Sequence, residues 1–224
     1  MPVTIHWSRP APTISSAAAP PLYFDYSGFP PEAYRLRYPA PGDPAVAARL
    51  ADLLRAEGLA PELDAARGWD HGVFVPLLLL RPQADVPVVQ VSVLAGEDPA
   101  RHWALGRALA RLREENVAVV GSGFASFHNL RLLFGGATRD PAFRRRNAAW
   151  SRAVTEAVEV EDAAERAERF KAWREWPAAY ESHPPGGAEH FLPLMVCAAA
   201  AGDGKGKWYV DENMGLDIYS YYWD

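Results

Sequence analysis

Cysteine is nearly absent from this sequence. The single residue, Cys197, excludes an intramolecular disulfide, and such sparing use suits a reducing compartment. Long apolar runs are also missing. The longest, residues 73–80 and 191–201, fall far short of the ~20 residues that a membrane-spanning helix needs. The opening MPVTIHWSRP lacks a basic stretch followed by an apolar one, so it does not read as a secretory signal. A cytoplasmic protein without membrane partners is expected. Positive charge is in deficit: 23 Lys and Arg against 28 Asp and Glu leave a net charge of −5. That is the wrong sign for nucleic acid, whose binding needs a basic face. The short motifs of several chemistries are missing too. There is no HExxH and no cysteine pair, hence no compact zinc signature. Gly121-Ser122-Gly123 fits neither the GxSxG nucleophile elbow nor the GxGxxG dinucleotide loop.

What is present describes an α/β protein. The 224 residues, 49% of them hydrophobic, suffice for one domain over residues 1–224 with a sizeable core. Eight Trp and twenty Pro suggest aromatic walls and rigid turns, in a cleft or in the core. Residues 3–7 read as a strand, residues 8–22 as a Pro/Ser/Ala-rich extended or looping segment, and residues 23–44 as an aromatic, proline-rich loop or lid. Asp43-Pro44 and Asp98-Pro99 are N-cap and N1 pairs that open helices with apolar residues at helical spacing. Residues 59–63 could form a short strand, 67–72 a loop and 73–80 a helix that tolerates Pro76 only in its first turn. The β-branched runs 88–94 and 117–120 read as buried strands. Residues 141–175 form one or two polar helices whose EVEDAAERAERFK run reads as a solvated face; residues 190–201 form a buried helix, and the tail ends in a strand. The expected fold is a mixed, mostly parallel sheet flanked by helices.

Histidine carries the chemistry. His6 ends a strand, His71 sits in a loop, and His128 follows the Gly-rich turn after a strand. Such positions line the ligand crevice of parallel α/β sheets. His190 opens a helix beside Glu189, whereas His102, in the first turn of a helix, reads as structural. Taken singly, each is as well explained by surface or core packing. From the residues alone the reading stops at an α/β domain with a possible histidine metal site.

Several ordered segments extend that reading. YFDYSGFPPEAYRLRYPAPGDP, GWDHGVFVPLLLLRPQADVPVVQVSV, HWALGRALARLREENVAVVGSGFASFHNLR and EHFLPLMVCAAAAG together resemble the DOPA 4,5-dioxygenase family of class III, LigB-like extradiol ring-cleavage dioxygenases. The resemblance implies a non-haem iron(II) centre, with zinc sometimes in its place, held by His6 of IHW and His190 of EHFLPL. It implies acid–base roles for His71 of WDHG and His128 of FHNLR. It also places Tyr26 and Phe29 near the pocket mouth. His183, seven residues before His190, is a candidate for the substrate pocket, with a surface turn as its bland reading. The implied substrates are a small, DOPA-like catechol and O₂, and the implied assembly is a monomer or small homo-oligomer.

The resemblance implies one departure. Family members begin with a strand ending in His-Gly-Ser-Pro, whose histidine is a further metal ligand. This chain aligns from the end of the following strand, so an N-terminally incomplete domain is expected, lacking that ligand, one strand and most of another. Either Glu189 or His183 then substitutes, or the protein is an impaired paralogue or shortened form without a competent metal site.

Overall fold

The computed structural model describes residues 1–224. Five strands form the main sheet: β1 (Pro2–Arg9), β2 (Thr13–Ser15), β3 (Glu62–Asp64), β4 (Val89–Leu94) and β5 (Ala118–Gly121), in the order β3-β2-β4-β1-β5. β1 runs parallel to both β4 and β5, and β2 runs parallel to β3; only β2 and β4 are antiparallel. The sheet is therefore mixed and mostly parallel, as expected. The helices are α1 (Pro44–Ala56), α2 (His71–Leu80), α3 (Pro99–Arg113), α4 (Leu130–Phe134), α5 (Pro141–Val158), α6 (Ala163–Lys171), α7 (Ala179–Ser182) and α8 (Leu192–Ala200). A separate antiparallel hairpin, β6 (Lys207–Asn213) and β7 (Leu216–Tyr222), closes the chain.

Local chemistry explains most element starts. Asp43 accepts from the amides of Ala45 and Val46, Asp98 from that of Ala100, and Asp140 from that of Ala142. Each is followed by Pro at the first helical position, where a missing N–H costs nothing. All six residues of β4 are buried, as a strand covered on both faces requires. α8 is as apolar as a strand because it lies in the core between α3 and the sheet. Gly106 permits that approach: a Cβ there would come within 2.3 Å of the Ala199 side chain.

Four expectations are corrected or refined. The strand carrying His6 is not mostly missing; β1 spans eight residues and is paired along both edges. The segment 8–22 contains β2, held because the Thr13 amide donates to Ser92 Oγ at 3.0 Å and the Gln90 amide to Ser15 Oγ at 2.8 Å. Helix α2 starts at His71, not Val73, because the Asp70 carbonyl accepts from the amides of Val73 and Phe74. Pro76 therefore lies inside the helix. The polar run 159–171 is not wholly solvated. Arg166 is fully buried, and its guanidinium donates to the carbonyls of Val160, Gly202 and Gly204. The tail ends in a strand as expected: β7 pairs with β6 in a hairpin separate from the main sheet.

The aromatic count is resolved mainly in favour of the core. Trp69, Trp150 and Trp173 are fully buried, and Trp150, Trp173, Phe170 and Phe191 pack around α8. Such pairs gain about 0.5–1.5 kcal/mol each beyond area burial. A second, smaller core lies beneath α2, where Tyr38 and Ala40 of the aromatic loop meet Trp69, Val73 and Phe74.

Candidate metal centre

Four histidines, far apart in sequence, come together. The rings of His6 and His71 are 4.7 Å apart, those of His6 and His190 5.2 Å, and those of His128 and His190 3.4 Å and stacked. Three structural devices place them.

The first is a kink in β1. The β5 ladder ends at Ile5, and β1 gains one residue against β4 between Ile5 and Ser8. His6 therefore lies within the strand at a bulge, rather than at its end, and bulges re-aim side chains. Its Nδ1–H donates to the Ser122 carbonyl at 2.8 Å. A carbonyl can only accept, so Nδ1 carries a proton and Nε2 is the nitrogen left to face a metal. Metal-binding histidines are commonly oriented this way.

The second device is close approach at two glycines. A Cβ on Gly72 would stand 2.2 Å from His6 Cγ, and one on Gly123 would stand 2.3 Å from the His190 carbonyl oxygen. The glycines of WDHG and GSG are thus the space that His6 and the turn before α8 occupy.

The third is a set of carboxylates. Asp25, from the aromatic loop, accepts from His71 Nδ1 at 2.8 Å and from the His71 amide at 3.1 Å. That hydrogen bond raises the His71 pKa against the opposing effect of burial, and leaves Nε2 facing outward. Asp70, fully buried, pairs with Arg67 at 2.6 Å and accepts from Gln90 Nε2 at 2.5 Å, fixing the start of α2. Glu189 lies 3.8 Å from His128 Nδ1.

The electrostatics suit a cation. Burial, reinforced by the neighbouring histidines, pushes the His190 pKa down to about 2, and its buried Nδ1 has no hydrogen-bond partner. A neutral imidazole with an orphaned nitrogen is what a metal requires of a ligand. Burial also lowers the His128 pKa, partly offset by Glu189. The ligand atoms of His6, Asp25 and His71 all lie within 4.8 Å of one another, and so do those of His128, Glu189 and His190. The donor set is imidazole plus carboxylate, which fits a non-haem divalent metal.

Other expected residues fall as follows. Tyr26 lies beside the site, its ring 6.4 Å from that of His71, and its hydroxyl donates to the Ala33 carbonyl. Phe29 packs behind it, 5.2 Å away and exposed. His183 is neither at the surface nor open to substrate. It is fully buried between Trp150 and Phe191, and its Nε2 bonds the Ala125 carbonyl at 2.9 Å. It props the Ala125 turn from below. His102 is structural, as expected: Nδ1 bonds the Asp98 carbonyl and Nε2 accepts from the Leu94 amide. Cys197 is half-buried, with its thiol pushed up to about 12 by burial. Asp25 was not foreseen, although it stands in the YFDYSGFPP segment. No helix is long and apolar enough to cross a membrane.

A family model described as the catalytic LigB subunit of aromatic ring-opening dioxygenase matches residues 3–219. The chain belongs to the LigB family. Among LigB-family relatives, dioxygenase tasH of Hapsidospora irregularis is 53% identical over 230 residues, covering 99% of this chain and 70% of that protein. The 4,5-DOPA dioxygenase extradiol of Beta vulgaris is 32% identical, covering 98% of this chain and 79% of its own length. The crystal structure of an uncharacterized Escherichia coli K12 protein matches with a TM-score of 0.73 at 28% identity, over 98% of this chain and 84% of that one. Membership makes this LigB-family protein an oxidoreductase of the extradiol dioxygenase type.

Proposed function

We propose that the protein cleaves the ring of a small, DOPA-like catechol between a hydroxylated and an adjacent carbon, inserting both atoms of O₂, as one LigB-like domain. The observation that carries this reading is the convergence of His6, His71, His128 and His190, with Nδ1 of His6 bound to the Ser122 carbonyl and Nδ1 of His190 buried without a partner. In this reading His6 and His190 hold iron(II), zinc being an alternative occupant; Asp25 lies close to His6, and Glu189 close to His190. When bound, the metal supplies adjacent open positions for the catecholate and O₂, and hence proximity.

The chain's own groups do the rest. His128, stacked on His190 and kept neutral by burial, takes a catechol hydroxyl proton. His71, whose protonated form the Asp25 carboxylate favours, donates a proton as the ring opens. Tyr26 walls the pocket beside His71. Four relatives are named for 4,5-DOPA dioxygenase activity, which supports a catechol as the substrate class.

The test is anaerobic iron(II) loading of the purified chain, metal quantification, and oxygen uptake with DOPA and simple catechols. Near-stoichiometric iron and catechol-dependent uptake are expected. Metal-free protein with no uptake would establish the alternative, a LigB-like protein without a competent centre.

A further inference from the structure

A cavity of about 230 Å³ is lined by His128 and His190 but not by His71. Beyond those two histidines its walls are Phe124, Phe127, Leu133, Met214, Leu216 and Ile218, with Asn213 the remaining polar group. None of the nine lining residues carries a charge apart from the titratable histidines. The charged groups of the neighbouring centre, Asp25 and Glu189, are carboxylates. Arg144, whose guanidinium lies against Gly215, is not among the lining residues, and its Nε donates to the Thr138 carbonyl at 2.6 Å.

The hairpin tip supplies an independent observation. Met214 and Gly215 form a two-residue turn with φ of 54° and 78°. Positive φ at both positions is the geometry for which Asn-Gly is the usual choice. Methionine there carries a left-handed backbone penalty that Asn would reduce. Its side chain, 54% exposed, lines the cavity. An unbranched thioether adapts to irregular apolar ligands. The turn keeps a strained residue where an apolar side chain faces the substrate space.

We infer that this cavity receives the ring substituent of the catechol, and that the preferred substrates carry a neutral, apolar substituent rather than an amino-acid, carboxylate or ammonium group. The inference rests on the catechol reading above and specifies its substrate class. A carboxylate entering the cavity would lose water without gaining a cation, and a zwitterion would lose it twice over. An alkyl or aryl group gains from the burial, about fourfold in affinity per methylene.

The test separates binding from turnover. The zinc-loaded full chain is titrated by calorimetry with four catechols differing at the 4-position: n-propyl, 2-carboxyethyl, 2-aminoethyl and the alanyl group of DOPA. The expected order places 4-propylcatechol first by about tenfold or more. Equal or tighter binding of any charged catechol, or no measurable binding of any of the four, overturns the inference. Tighter binding of the 2-aminoethyl compound would mean that Glu189 recruits the substituent instead. The iron-loaded chain is then assayed for oxygen uptake with the same panel. Absence of uptake with all four, with the binding preference intact, sinks the ring-cleavage reading but leaves the pocket assignment standing. Two variants sharpen the result. Met214→Asn should relax the turn, raising the thermal midpoint, while weakening 4-propylcatechol binding about fivefold. Leu133→Arg should reverse the preference toward the 2-carboxyethyl compound. Unchanged selectivity in both would overturn the assignment of these walls.

Discussion

At the scale of single residues, the centre depends on groups that do not themselves react. Gly72 is the sharpest case. Its α-carbon leaves room for the His6 ring and for nothing more, so Gly72→Ala must displace the imidazole or the start of α2. A loss of metal affinity of at least about tenfold is expected, as for changes that disturb ligand orientation, with circular dichroism close to wild type; chelator competition measures it. Asp25 is a second case. Its carboxylate bonds His71 at two points, so Asp25→Asn should lower kcat by about tenfold or more while leaving the iron content unchanged. Loss of iron in that variant would instead make Asp25 a ligand. Replacing His6 or His190 by Ala should abolish metal retention, and normal iron in either would remove it from the ligand set. These roles were unevenly legible. The histidines could be picked out because few residue types bind iron. Asp25 could not be separated from other loop carboxylates, since its partner lies 46 positions away. Burial hid the role of His183 in the same way: a histidine between two glycine- and proline-rich turns looks like surface until Trp150 and Phe191 close over it.

At the scale of elements, capping and periodicity were readable, and long-range pairing was not. The Asp-Pro pairs opened α1 and α3 as expected, and a third at Asp140-Pro141 opens α5 by the same chemistry. β2, three residues long and embedded in Pro and Ala, has no local signal; it exists because Ser92 and Ser15 satisfy amides across the sheet. The polar helix α6 illustrates the opposite failure. Its charged sequence conceals Arg166, which ties together the ends of the 158–163 and 202–204 segments through three carbonyls. Arg166→Met keeps much of the volume but leaves those carbonyls unpaired, so a loss of about 3 kcal/mol is expected, read as a lower urea midpoint. An unchanged midpoint would mean that water reaches the site.

At the scale of the molecule, the buried histidines make stability depend on pH. Burial pushes the His183 pKa from about 6.5 down to about 3 and also lowers that of His102. Both are neutral in the fold, and the unfolded chain binds their protons first. Their contribution to stability is therefore complete above about pH 6.5 and is lost as the pH falls toward 3. Unfolding by urea at pH 7 and at pH 4.5 should show a marked drop. His183→Gln, which retains a donor for the Ala125 carbonyl, should flatten that slope; an unaltered slope would assign the drop to other groups.

The four histidines are drawn from the first strand, the start of α2, the turn after β5 and the turn before α8. No short fragment of the chain contains all four, and a cation shared by His6 and His190, as proposed above, would clasp the first strand to the last core helix. Such a clasp favours only molecules whose two ends have both docked, by about 2.7 kcal/mol when free metal stands at a hundred times its dissociation constant. Metal occupancy would then double as a census of completed folding, and metal supply would set how long the protein survives quality control.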